Sequence, residues 1–186
     1  MARAPVEMAV WFRQGDPRYP FIWEAGPQPP ARWHGADDGP VTYLADTLDG
    51  AWAEFLRHEE ITDPEDLQGV ARRVWAVEVP DEIIEASARV DLSPELAQGG
   101  LTSYPACQSH AADLRRGGAR SLISMTAALE SGAGRGERVH NGLEEGDPRD
   151  GQVLALFGGH WEQVIGWVAV DAGAPTTRQL TLVRHF

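Results

Sequence analysis

Apolar residues recur with a helical period in one segment of the chain. Its apolar positions are spaced by three or four residues: Leu48, Ala51, Trp52, Phe55 and Leu56. This spacing predicts a helix that packs one face against a core, and Thr47 stands where an N-cap is expected. Glu54 lies off the apolar stripe, at roughly 120° from its centre on a helical wheel of 100° per residue. Its carboxylate therefore faces either a cleft beside the core or solvent.

Short segments rich in β-branched, aromatic or alternating apolar residues predict strands around this helix. The predicted strands cover residues 6–13, 41–45, 73–79, 121–126, 152–157, 164–170 and 179–183. A Ser93-Pro94 pair is typical of a helix start, and residues 105–116 predict another helix that ends at Gly117-Gly118. Because the strands outnumber the helices and do not alternate strictly with them, the pattern favours an α+β fold.

Two segments are predicted to be irregular. Residues 15–39 contain five prolines and several glycines, which prevents regular structure over most of that length. Residues 132–151 are rich in glycine and predict a long surface loop. Loops of such length within one domain are often functional.

Length and charge restrict the class of protein. A chain of 186 residues fits one domain spanning 1–186. The net charge is −12, and residues 37–95 carry 16 acidic residues against four arginines, so direct nucleic-acid binding is disfavoured. The sequence has neither a long apolar run nor a basic segment followed by an apolar one. We therefore expect no membrane span and a cytoplasmic protein.

Common metal and cofactor motifs are absent from the sequence. There is a single cysteine, Cys107, and no Cys pair or HExxH motif, so we expect no bound metal. The glycines at 132–136 are not followed by a helical pattern, so they do not indicate a dinucleotide-binding turn. We expect Cys107 to be an inert buried residue rather than a nucleophile.

Several residues suited to chemistry remain in the first third of the chain: Arg13, Arg32, Trp33, Tyr43 and Glu54. Each has an ordinary structural interpretation when taken alone. The arginines can be surface residues, the aromatic residues can belong to the core, and Glu54 can be a solvated helix residue that pairs with Arg57 or His58.

The order of these residues resembles that of the RES domain family. The likeness is carried by ARWHGADDGPVTYLADTLDGAWAEFLRH at 31–58, VWFR ending at Arg13, Cys107-Gln108, GARSLISMTAALESGAG at 118–134, and VLALFG, IGW and LVRHF toward the end. Where the family has Pro-Ser-Ala, this chain has Met125-Thr126-Ala127. Thr126 is therefore similar in position to the family serine, and Ser124 is the alternative.

This resemblance implies a single ADP-ribosyltransferase-like domain with strands and flanking helices. Members of the family consume NAD, as substrate rather than cofactor, and many are toxins with an Xre-type antitoxin partner. The acceptor is water, phosphate or a protein side chain.

The resemblance also implies roles for individual residues. Glu54 would stabilise the positive charge that develops on the ribose, with Arg32 beside it. Arg13 and Arg32 would bind the pyrophosphate. Tyr43 and Trp33 would stack on the nicotinamide or its ribose, and Thr126 would offer a hydroxyl to the ribose or phosphate.

Two other functions are compatible with the same residues. A sensor of an NAD-derived ligand would keep the pocket without catalysis. An acidic interaction module would use residues 37–95 to dock a basic partner, with an affinity that falls as salt rises.

Overall fold

A mixed seven-stranded sheet forms the centre of the computed structural model, which describes residues 8–21, 26–139 and 143–186. The strands are β1 (Met8–Gly15), β2 (Val41–Ala45), β3 (Arg72–Pro80), β4 (Ala88–Arg89), β5 (Ser121–Met125), β6 (Glu137–Val139), β7 (Leu143–Glu145), β8 (Gln152–Phe157) and β9 (Gly166–Gly173). Their order in the large sheet is β4-β5-β8-β2-β1-β3-β9, and β6 and β7 form a separate pair. Within the large sheet β4 and β5 are parallel and the other neighbours are antiparallel.

Short helices lie against this sheet. They are α1 (Leu48–His58), α2 (Asp81–Glu85), α3 (Pro94–Ala97), α4 (Tyr104–Arg116) and α5 (Thr177–Leu180), with 3-10 turns at Pro64–Gly69, Leu101–Ser103 and His160–Glu162. The mixture of strands and helices confirms the predicted α+β class. In the described part of the chain, no helix is long and apolar enough to cross a membrane.

Helix α1 follows the sequence prediction closely. The Thr47 hydroxyl accepts a hydrogen bond from the Gly50 N–H at 3.0 Å, which satisfies one of the free donors of the first turn. Trp52 and Leu56 are fully buried, and they pack with residues of β3 and α5 in one core cluster. The apolar stripe is thus buried as predicted, and the helix is fixed against one face of the sheet.

Five other predicted elements are confirmed, with no shift or a small shift in their bounds. Helix α4 begins one residue earlier than expected and ends at Arg116, before Gly117. Strands β2 and β8 have the predicted bounds, and β9 is displaced toward the C-terminus by two to three residues. Strand β1 extends to Gly15, while residues 6 and 7 of the predicted strand lie outside the described residues.

The predicted strand at 179–183 is wrong, because α5 occupies the first part of it. The Thr176 hydroxyl accepts from the Gln179 N–H, and the Gln179 side chain accepts from the Thr176 N–H. This capping box starts a helical turn, so local hydrogen bonds prevail over the β-branched composition. Val183 keeps a single bridge to Leu129.

The predicted loop at 132–151 is also partly wrong, because β6 and β7 pair in antiparallel register within it. Each of these strands has three residues. A strand of that length leaves no readable alternation in a glycine-rich segment, so the periodicity gave no signal.

Candidate functional site

A cavity of about 330 Å³ opens between α1, the ends of β1 and β2, and the proline-rich segment before β2. Five cationic or titratable basic side chains line it: Arg13, Arg32, Arg57, His58 and Arg72. Two carboxylates, Glu54 and Glu59, also line it. In a protein whose net charge is −12, the pocket is therefore a locally cationic region that suits an anionic ligand.

Glu54 projects from α1 into this pocket, which decides between the two orientations that the helical wheel allows. The Thr126 hydroxyl donates a hydrogen bond of 2.6 Å to Oε1 of Glu54. Burial raises the pKa of Glu54, while the Thr126 hydrogen bond and the charges of Arg32, Arg57 and His58 lower it in part. The carboxyl group is held in a defined position, and its pKa lies above the ordinary range.

Arg32 lies beside this carboxyl group and is 8% exposed. Its Nη1 donates to the Ser103 hydroxyl at 3.1 Å, and its Nη2 donates to the Gly99 carbonyl at 2.6 Å. The guanidinium carbon lies 4.9 Å from the centre of the Tyr104 ring. No ion pair joins Arg32 to a carboxylate among the described residues. Its charge is therefore available to the pocket.

Arg13 lines the same pocket from the end of β1. Its Nε donates to the Pro20 carbonyl at 2.6 Å and its Nη1 donates to the Tyr43 carbonyl at 2.9 Å. These bonds connect β1, β2 and the proline-rich segment, so Arg13 also fixes the wall of the pocket. The structure thus brings Arg13, Arg32 and Glu54 to one cavity.

Tyr43 lines the pocket and holds the segment that carries Arg32. Its hydroxyl accepts from the Trp33 N–H at 3.0 Å and lies 2.8 Å from Nδ1 of His34. Nε2 of His34 lies 2.9 Å from the Pro29 carbonyl, which only accepts, so the proton sits on Nε2 and Tyr43 donates to Nδ1. Burial lowers the pKa of His34 and raises that of Tyr43, so both groups are neutral.

Trp33 differs from the expectation for a stacking residue. It lines the pocket, but its side chain is only 2% exposed and packs with Val41 and Cys107 in a core cluster. It supports the turn that carries Arg32 and leaves little ring surface for a ligand.

Thr126 also has a contact that the sequence did not predict. Its hydroxyl donates to Glu54 and accepts from the Ala128 N–H at 3.0 Å, so its hydrogen-bonding capacity is directed at protein groups. Ser124, the alternative, donates to the Met125 carbonyl at 3.0 Å. The geometry favours Thr126 as the partner of Glu54 and places its hydroxyl on the carboxylate rather than toward a ligand.

Arg57 is a pocket residue that sequence reasoning treated only as a surface partner of Glu54. It is buried, and its Nη1 donates to the carbonyls of Ala127 and Arg184. Its Nη2 donates to the Gly99 carbonyl at 3.2 Å, the same oxygen that Arg32 uses. Arg57 is three residues from Glu54, so the sequence places the two side chains next to each other on the surface of α1. The burial of Arg57, however, depends on the packing of distant segments.

Cys107 is fully buried in the cluster around Trp33, which confirms the expected burial. Its thiol donates to the Leu96 carbonyl at 3.3 Å. Within the described parts of the chain, no group of three or more His, Cys, Asp or Glu side chains is arranged to hold a metal ion.

Comparisons with known proteins agree with this fold. The sequence model of the RES domain matches residues 9–135, a range that contains Arg13, Arg32, Glu54 and Thr126. A chain in the crystal structure of the M. tuberculosis MbcT-MbcA toxin-antitoxin complex is similar in fold, with a TM-score of 0.55 and 15% sequence identity. The likeness covers 89% of this chain and 85% of that chain. A comparison with curated protein sequences finds no match.

Proposed function

The chain belongs to the RES domain family, and from that premise we propose that it consumes NAD by cleaving the bond between nicotinamide and ribose. One observation carries the proposal. The Glu54 carboxyl group is held by Thr126 inside a pocket lined by four arginines. This substrate requires both kinds of charge. A carboxylate stabilises the ribosyl cation, and guanidinium groups bind the anionic pyrophosphate.

The reaction develops positive charge on the ribose. Nicotinamide leaves as a neutral base with the electron pair of the broken bond, and the anomeric carbon passes through an oxocarbenium-like state. The acceptor then supplies an electron pair to that carbon and loses its proton. A fixed carboxylate beside the carbon stabilises this state electrostatically, as in glycoside hydrolysis. Because Thr126 fixes the position of Glu54, little reorganisation accompanies the step.

The raised pKa of Glu54 connects catalysis to substrate binding. The nicotinamide ring of NAD is cationic, and an adjacent positive charge favours the ionised carboxylate. Binding would therefore ionise Glu54 at the moment when its charge is needed.

We also propose that the protein is a toxin with an antitoxin partner of the Xre type. Family membership supports this, as does a fold similar to that of a chain from a toxin-antitoxin complex. The acidic segment at 37–95 supports a partner with a basic surface, because opposite charges accelerate association.

Incubation of the full chain with NAD tests the reaction directly. The mixture is prepared with and without phosphate and with cell lysate, and the ADP-ribose-containing products are identified by mass. Hydrolysis, phosphorolysis and transfer to a protein give three different masses. NAD that stays intact for hours at micromolar enzyme would refute the proposed reaction. NAD binding without product, measured by calorimetry, would identify a sensor instead.

Two matched variants assign the reaction to Glu54. Glu54→Gln keeps the shape but removes the charge, so we expect turnover to fall by roughly 100-fold or more, as for other electrostatic groups of this kind. Glu82→Gln alters an exposed glutamate on α2 and should leave turnover unchanged. Full activity of Glu54→Gln would exclude the carboxylate from the chemistry.

A further inference from the structure

The size of the cavity constrains how a dinucleotide would bind, an argument that rests on the proposed function. The cavity of about 330 Å³ lies near the lower end of the range for small-molecule pockets. A dinucleotide carries two base-ribose halves joined by a pyrophosphate. Since Glu54 acts on the nicotinamide ribose, that half occupies the interior. The adenine half then lies at the pocket mouth, where it needs an apolar surface.

Phe186 provides such a surface at the mouth. It lines the pocket, yet its side chain is 53% exposed. The guanidinium carbon of Arg57 lies 4.3 Å from the centre of the ring and covers one face of it. Gly100 lies near the ring edge, and a Cβ added there would be 3.8 Å from it.

The partner behind the ring is itself fixed. Arg57 donates to the carbonyls of Gly99, Ala127 and Arg184, which belong to three separate segments. A ring that stacks on such a guanidinium loses less freedom when a ligand binds than a mobile ring would lose. The mouth of the pocket therefore has a preorganised aromatic face.

We propose that Phe186, backed by Arg57, is the stacking platform for the adenine base of the dinucleotide. A neutral purine stacks well on an aromatic ring. The positive charge of Arg57 on the opposite face makes the same ring a poor partner for the cationic nicotinamide, because like charges repel across it. The electrostatics thus assign the platform to adenine and not to the reacting base.

Calorimetry on the full chain with two half-ligands tests this assignment. ADP-ribose contains adenine but no nicotinamide, and nicotinamide mononucleotide contains nicotinamide but no adenine. Phe186→Ala should lower the affinity for ADP-ribose by roughly 5- to 150-fold, the range found when base stacking is removed. It should leave the affinity for nicotinamide mononucleotide unchanged. Phe186→Trp should keep the wild-type affinity for ADP-ribose.

Leu101→Ala serves as the matched control, because Leu101 is 59% exposed and does not line the pocket. It should change neither affinity. The assignment would be overturned if Phe186→Ala weakened the affinity for both ligands equally or left the affinity for ADP-ribose unchanged. It would also be overturned if the wild-type protein bound no ADP-ribose. If Phe186→Ala selectively loses affinity for ADP-ribose while the wild-type protein leaves NAD intact, the platform is upheld and the proposed reaction is refuted. If the wild-type protein consumes NAD but Phe186→Ala leaves the affinity for ADP-ribose unchanged, the proposed reaction stands and the platform is refuted.

Discussion

At the scale of single residues, the Glu54 carboxyl group combines its proposed catalytic role with a cost in stability. Burial raises its pKa, whereas glutamates of the unfolded chain titrate near about 4.3. The folded state therefore binds this proton more tightly than the unfolded chain does. The contribution of Glu54 to stability is greatest below the unfolded pKa and is lost as pH rises through the folded pKa.

Glu54→Gln should consequently raise the melting temperature at pH 7 by a few degrees. Glutamine keeps the volume and offers an oxygen to the Thr126 hydroxyl, while its neutral amide avoids the burial of a charge. The gain should disappear below about pH 4, where the wild-type group is protonated in both states. Thermal denaturation at the two pH values checks this, and a lower melting temperature of the variant at pH 7 would contradict it.

The Thr126 hydroxyl should control the pH dependence of turnover. Its hydrogen bond stabilises the ionised form of Glu54, so Thr126→Val should raise the pKa of Glu54 further. The acid limb of the kcat/KM profile then moves to higher pH. At a pH on that limb, kcat/KM of the variant should be roughly tenfold lower than that of the wild type, as expected for loss of a hydrogen bond to a charged group. Thr126→Ser should restore the profile. A uniform loss at every pH would show a role other than tuning Glu54.

Arg32 should not tolerate lysine. Its two Nη atoms donate to different acceptors, Ser103 and Gly99, and one ammonium group cannot reproduce that fork. Arg32→Lys should weaken NAD binding roughly tenfold or more, because an ammonium group cannot bind the pyrophosphate in the bidentate way that a guanidinium group does. Arg89→Lys, at an exposed position of β4, is the control. Calorimetry that gives equal affinities for Arg32→Lys and wild type would remove Arg32 from the site.

At the scale of elements, α1 is the helix on which the site depends. It carries Glu54, Arg57 and His58 on the side next to the pocket, while its apolar stripe is buried against the sheet. The position of all three side chains is therefore set by how firmly the helix begins and packs. Its N-cap is the most local of these determinants.

Removal of that cap should destabilise the protein measurably. The Thr47 hydroxyl accepts from the Gly50 N–H, so Thr47→Ala should cost about 1 kcal/mol. For a chain of this length that corresponds to a melting temperature lower by roughly 2–4 °C. Thr47→Ser keeps the acceptor and should melt close to wild type. Equal melting temperatures for Thr47→Ala and wild type would show that the cap contributes nothing.

At the scale of the whole molecule, charge of one sign dominates the surface while the pocket has the opposite sign. The net charge is −12, and the ion pairs at the surface join mainly exposed partners such as Arg120 and Glu162. Exposed pairs of this kind contribute little to stability. We therefore expect repulsion among the carboxylates to outweigh them and to oppose the compact state.

Salt should accordingly stabilise the folded protein. Raising ionic strength from about 10 mM to about 150 mM shortens the Debye length from about 30 Å to about 8 Å and screens the repulsion. We expect the melting temperature to rise by a few degrees, with glucose at the same osmolality as the control. A melting temperature that falls with salt would mean that the surface ion pairs dominate.

The sequence by itself determined those features that depend on neighbouring residues. The 3.6-residue period and the Thr47 cap predicted α1, and the apolar segments predicted β2, β5 and β8 to within a residue. The strand at 179–183 was wrong, because hydrogen bonds of the Thr176 capping box outweighed composition. The order of Arg13, Arg32 and Glu54 resembles a family pattern, and the fold brings these three residues to one pocket, although no local period relates them.

Only the tertiary structure decided which groups meet. The contact between Thr126 and Glu54 joins residues 72 positions apart, and Arg57 binds carbonyls up to 127 positions away. Such contacts depend on strand order and helix packing, which the pattern of a single segment does not encode. Burial is likewise a property of the assembled fold. It raises the pKa of Glu54, and the packing around it directs Arg32 and Arg57 to the neutral carbonyl oxygen of Gly99.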